Sequence, residues 1–173
     1  MRRRTDMRQL TMLGVVCMAA FSLAPVARAD DDKCKDVNGH AVATTIPAPN
    51  DPLGRTLGSS TGDLKASVSG FLTSLTPQPD GSIHVTSVEV WVLGPQDILI
   101  FTCKTTATPI PGAPVGTVSA STTETVVGGT GKFVGASGTL NLTGTGFNVF
   151  GPNAGPGSTY FDETYRGNIC RSK

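Results

Sequence analysis

The chain has 173 residues, 16% of them charged, with a net charge of +1 and 6% aromatic residues. That length suits one domain with a sizeable core, and the charge excludes the strongly basic class that grips nucleic acid. Gly (21) and Pro (12), with Thr and Ser recurring and no long helical periodicity, exclude a helical body and favour short strands joined by turns.

Residues 1–29 read as a secretory signal peptide. Arg2, Arg3, Arg4 and Arg8 open it, Leu10 to Ala27 is apolar, and Ala27-Arg28-Ala29 forms an A-x-A-like cleavage site before Asp30. Pro25 and the acidic residues that follow argue against a retained membrane span. The expected product is secreted or periplasmic, a single domain over residues 30–173. Five Arg and one Asp give the signal a charge of +4, which leaves −3 for that domain. No basic cluster remains to attract nucleic acid or anionic lipid.

Cys34, Cys103 and Cys170 belong to the exported part. An oxidising compartment predicts one disulfide among them. Cys34 with Cys170 is the expected pair, leaving Cys103 buried in a strand as a small hydrophobe. The rival pair, Cys103 with Cys170, stays open at this level.

In chain order, residues 30–36 (DDDKCKD) read as a solvated leader and His40 to Ile46 as a short strand. A Pro-rich loop covers Pro47, Pro49 and Pro52. Asp63 to Thr76 is a longer strand with a bend at Gly70, closed by the turn Pro77 to Gly81. Ser82 to Leu93 and Asp97 to Thr106 form a hairpin across Gly94-Pro95-Gln96. Val115 to Val127 and Lys132 to Asn148 flank a Gly-rich segment, and Thr159 to Cys170 is the last strand. In that segment, VVGGTGKFVGASG, Gly128 and Gly129 suit a tight reversal. Gly131, Gly135 and Gly138 puncture the returning strand, as where a barrel wall bends. Seven or eight strands at this spacing predict a barrel or sandwich, and a closed barrel has no unpaired edge.

The segment Gly128 to Gly138, GGTGKFVGASG, followed by a strand with Leu140 and Leu142 against Thr139, Asn141 and Thr143, resembles the hallmark of the dirigent and allene oxide cyclase superfamily. The resemblance implies an all-β fold, a closed antiparallel eight-stranded β-barrel with an apolar central cavity. It also implies homo-oligomers, trimers among plant members. The activities it suggests are cyclisation of an unsaturated epoxide and stereochemical steering of reactive intermediates. A small apolar or aromatic ligand in the lumen follows from it, whereas no catalytic residue carries over.

The chain holds three glutamates and two histidines. Glu89 shares a strand face with Ile83, Val85, Ser87, Trp91 and Leu93. On an inner face its carboxyl acts as general acid or base; the competing parity sends Glu89 out and Val88, Val90 and Val92 in. Glu124 shares a face with Val118, Ala120, Thr122 and Val126; a solvated place near the hairpin end is expected for it, with entry into the lumen the alternative. In the last strand Tyr160, Asp162, Thr164 and Arg166 share one face, and Phe161, Glu163 and Tyr165 the other. Tyr160, Asp162 and Arg166 resemble an acid/base network; an exposed Asp–Arg pair of little consequence is the alternative. His40 and His84 show no ligand spacing, so neither metal nor cofactor is expected.

Three functions fit these residues: a barrel that binds and cyclises or isomerises a small apolar molecule, a lipocalin-like binder without catalysis, and a filled structural barrel. A lumenal cavity of several hundred Å³ with a desolvated carboxylate separates the first from the others.

Overall fold

Eight antiparallel strands follow one another around a closed ring in chain order. The computed structural model describes residues 33–48, 51–152, 154 and 158–172; the expected export signal lies outside them. The strands are β1 (Lys33–Ala48), β2 (Asp51–Gly62), β3 (Ala66–Pro77), β4 (Ile83–Val92), β5 (Ile98–Pro109), β6 (Val118–Thr130), β7 (Ser137–Phe147) and β8 (Tyr160–Arg171). One short 3₁₀ turn, Gly131–Phe133, separates β6 from β7. Among the described residues no helix is long and apolar enough to cross a membrane.

Closure falls on β1 and β8. Their ladder runs unbroken from Lys33 opposite Arg171 to Thr44 opposite Tyr160. Cys34 and Cys170 face each other in it and form the disulfide, while Cys103 stays a buried thiol on β5. Residues 33–36 are therefore strand, not the solvated leader their charges suggest: pairing with β8 satisfies their backbone.

Two further expectations change. Residues 51–62 form β2, although the expected Pro-rich loop reaches Pro52 and Gly54, Gly58 and Gly62 carry little strand propensity. Lack of side chains there permits close approach, since a Cβ on Gly58 would strike the Val42 carbonyl. Gly128 and Gly129 lie in β6, paired with Ile100 and Leu99, and do not make the reversal. That role falls to residues 131–136, where Gly131 (φ 57°) and Gly135 (φ 69°) take the left-handed conformation that side chains resist.

The interior divides into a filled end and a hollow one. Trp91, Leu99, Phe101, Leu140 and Tyr165 are all at most 1% exposed and fill the end nearer the disulfide. The Trp91 ring lies 5.5 Å from Phe101 and 5.7 Å, edge-on, from Tyr165. Each such side chain contributes roughly 1.5–3 kcal/mol by leaving water. The Tyr165 hydroxyl donates to the Thr61 carbonyl and accepts from the Leu64 amide, both at 2.8 Å. It thereby ties β8 through the interior to the β2–β3 turn. Gly39 leaves the room, because a Cβ there would collide with that phenol.

The Cys34–Cys170 bond spans 136 positions of sequence. Opening it frees the unfolded chain, and the chain-entropy model gives a loss of about 4–5 kcal/mol. Urea unfolding with and without reductant checks this; coincident midpoints would show that the β1–β8 ladder closes the barrel unaided.

Candidate functional site

All three glutamates of the chain point into the barrel. Glu89 comes from β4, Glu124 from β6 and Glu163 from β8. With Ser87, Cys103, Thr105 and Thr122 they form a polar belt between the packed aromatic end and a cavity of about 350 Å³. The cavity walls are apolar, drawn from Leu53, Leu72, Leu75, Val85, Val149 and Phe161 among others.

Strand parity sets this convergence. In β4, Ser87 and Trp91 are buried, so Glu89 between them faces inward. Gly70 lies directly across from it in the ladder. A Cβ on Gly70 would stand 2.9 Å from the Glu89 Cγ and 2.6 Å from the Thr56 Oγ1. The expected bend at Gly70 is thus a recess that admits a carboxyl. In β6 every residue of the Val118, Ala120, Thr122, Glu124, Val126 series is buried, and Glu124 is 1% exposed. The solvated position expected for Glu124 is overturned: its apolar neighbours carry it inside.

In β8 the inward series is Phe161, Glu163, Tyr165 and Ile169. Tyr160, Asp162 and Arg166 are exposed on the outer wall. Tyr160 stacks there on Phe147 with ring centroids 6.2 Å apart. Asp162 meets His40 at 2.5 Å, both side chains nearly half exposed, so the pair is a surface contact. The structure therefore brings Glu89 to the cavity and leaves Tyr160, Asp162 and Arg166 outside it. Glu163 takes the place on β8 expected for Asp162. Phe161, Tyr165 and Ile169 at the same parity were the signal for it.

Hydrogen bonds orient the belt. The Trp91 indole donates to Glu89 Oε2 at 3.3 Å. The Thr122 hydroxyl donates to Glu163 Oε1 at 3.3 Å, which leaves it to accept from Thr105 at 2.9 Å. Glu124 Oε2 and Thr56 Oγ1 are buried with no hydrogen-bond partner among the described residues.

Burial is the main reason that each carboxyl holds its proton above the usual carboxylate range. Glu124 is raised furthest, because the charges of Glu89 and Glu163 add to its burial. Glu89 is raised less, since the bonds from Trp91 and Glu124 favour its anion. Glu163 is pushed up to about 7 by burial and by Glu89, against the opposing bond from Thr122. Burial also keeps the Cys103 thiol protonated, reinforced by Glu89 and Glu124. Near neutral pH the belt therefore holds both acids and carboxylates, which is what proton transfer in two directions needs.

Donor atoms of Glu89, Cys103 and Glu124 lie within 4.8 Å of one another, the one group among the described residues spaced for a metal ion. Binding a cation there requires deprotonating Cys103 against its burial. The chain matches no protein-family model, no curated protein and no solved structure.

A carboxyl whose pKa is raised by folding binds more protons in the native than in the unfolded state, between the two pKa values. Stability then falls as pH rises through that interval. For Glu163 the interval runs from 4.5 to about 7 and corresponds to about 3 kcal/mol. Glu163→Gln has no proton to lose, so its unfolding free energy should fall less across this range and exceed wild type near neutral pH. Urea titrations at intervals across the range read this directly; parallel curves for the two proteins would refute the raised pKa.

Proposed function

We propose that this chain is an exported barrel that binds a small apolar molecule in its lumen and isomerises or cyclises it by proton transfer among buried carboxyls. The observation that carries the reading is a 350 Å³ apolar cavity floored by Glu89, Glu124 and Glu163. A filled structural barrel would leave no such space. The Cys34–Cys170 disulfide supports an oxidising compartment. The GGTGKFVGASG segment adds its likeness to the dirigent and allene oxide cyclase superfamily, whose activities are of this type.

The chemistry needs no external reductant or oxidant. An ionised carboxylate, Glu163 above its pKa, removes a proton from a carbon next to a carbonyl or alkene. The freed electron pair moves along the conjugated system, and protonated Glu124 delivers its proton at the far end. Product and substrate then have the same composition, and the belt ends with its proton moved from Glu124 to Glu163. Exchange through the belt or with water restores it. Surrounding apolar walls strengthen each carboxyl's interaction with developing charge.

A lipocalin-like binder is the second reading, favoured by the extent of bare apolar wall. Deuterium exchange separates the two. In heavy water, 2-tetralone, an uncharged enolisable ketone, should gain deuterium beside its carbonyl faster with the protein than in buffer. The rate should rise as Glu163 ionises and drop about 10²–10⁴-fold in Glu163→Gln. Bound ketone with no acceleration over buffer leaves a binder without catalysis.

A further inference from the structure

We propose that the molecule held in the lumen carries a basic nitrogen: an apolar amine whose ammonium head sits on the carboxyl belt while its hydrocarbon body fills the cavity. This deepens the reading of the lumen as a ligand site and rests on it.

The first ground is charge. Three carboxyls face the cavity, and among the described residues no Lys, Arg or His lines it. Lys35 pairs with Asp63 and Lys132 with Asp97, and neither lysine lines the cavity. A carboxylate or phosphate ligand would add a fourth acidic group to the belt with no countercharge. An ammonium supplies the missing charge and relieves repulsion among the three.

Hydrogen bonding supplies the second ground. Glu124 Oε2, on a side chain 1% exposed, has no donor among the described residues, and Thr56 Oγ1 at the same cavity is also unpartnered. A buried carboxyl oxygen left so is costly until a donor reaches it. An ammonium has three N–H donors and no acceptor, which matches three carboxyls gathered on one belt. A ketone offers none, and an alcohol only one.

Protons balance simply. A free amine takes its proton from the belt, whereas an ammonium entering from water displaces one to solvent. The titratable groups facing the head are Glu89 on β4, Cys103 on β5, Glu124 on β6 and Glu163 on β8, with Asp162 beside Glu163 on the outer wall. Among the described residues, strands β1, β2, β3 and β7 contribute only uncharged lining. Affinity for an ammonium therefore rises with pH as Glu163 ionises.

Trp91, the only Trp of the chain, donates to Glu89 and reports occupancy by its fluorescence. The test compares 1-octylamine, 1-octanol and octanoate, which share a tail and differ in head. At about pH 8 octylamine should bind about tenfold tighter than octanol, the step from a neutral to a charge-assisted bond, and octanoate weakest. In folded Glu124→Gln and Glu163→Gln, checked by circular dichroism, the preference for the amine should shrink. Octanol or octanoate binding as tightly as octylamine would overturn the amine and leave the lumen a ligand site. An amine preference unchanged in both variants would place the head elsewhere and overturn it too. Binding of none of the three would remove the lumenal site itself.

Discussion

The β1–β8 ladder is the constraint on which the interior depends. Once β8 pairs with β1, no strand has a free edge, and each residue faces either lumen or solvent. A slip of one residue would exchange the two faces of a whole strand. Large side chains prevent it: Tyr165 reaches across the interior to the Thr61 carbonyl and the Leu64 amide, and Trp91 wedges between Phe101 and Tyr165. Glu163 lies two positions before Tyr165, and Glu89 two before Trp91. The aromatic anchors that fill one end of the barrel thus aim carboxyls at the other.

This arrangement leaves part of the interior unpacked. A barrel this narrow can be filled by side chains throughout, and its lower half is. The upper half keeps an open space over three acids that repel one another when ionised. Unsatisfied Glu124 Oε2 at that boundary is a local conflict of the kind folded proteins retain where a ligand or reaction needs it. Packing of the filled end and the Cys34–Cys170 staple hold the barrel around that space.

Much of this was legible in the sequence, and the rest failed for physical reasons. The strands at Ile83–Val92 and Val118–Thr130 and the hairpin joining β4 to β5 follow from residue type, and Cys34 with Cys170 was the expected disulfide with its rival open. Strand β2 did not, because Gly54, Gly58 and Gly62 serve close approach to β1 but carry the composition of a loop. The N-terminal half of β1 was hidden by its charges, yet the ladder to β8 pairs its backbone while Lys35 and Asp36 stay exposed. Parity on β8 was the costliest ambiguity. Tyr160, Asp162 and Arg166 attract a chemist's attention, yet Phe161, Tyr165 and Ile169 decide which side is buried. Burial of a long apolar series outweighs the hydrogen-bonding promise of its neighbours, and on β6 the same rule carries Glu124 inside.

The two acidic residue types divide the molecule between them. Asp63, Asp80 and Asp97 stand at turns, where short side chains accept bonds from Lys35 and Asn38, from Ser82, and from Lys132. Those bonds hold their carboxyls below the ordinary range. Glu89, Glu124 and Glu163 use a longer side chain to reach the lumen, where burial raises them. The linkage signs are opposite. Turns held by aspartate lose support as pH falls through their lowered pKa values, whereas Glu163 in the belt loses support as pH rises from 4.5 toward about 7. Between those ranges both sets of carboxyls support the fold, and the charge that Glu163 gains toward neutrality opposes it.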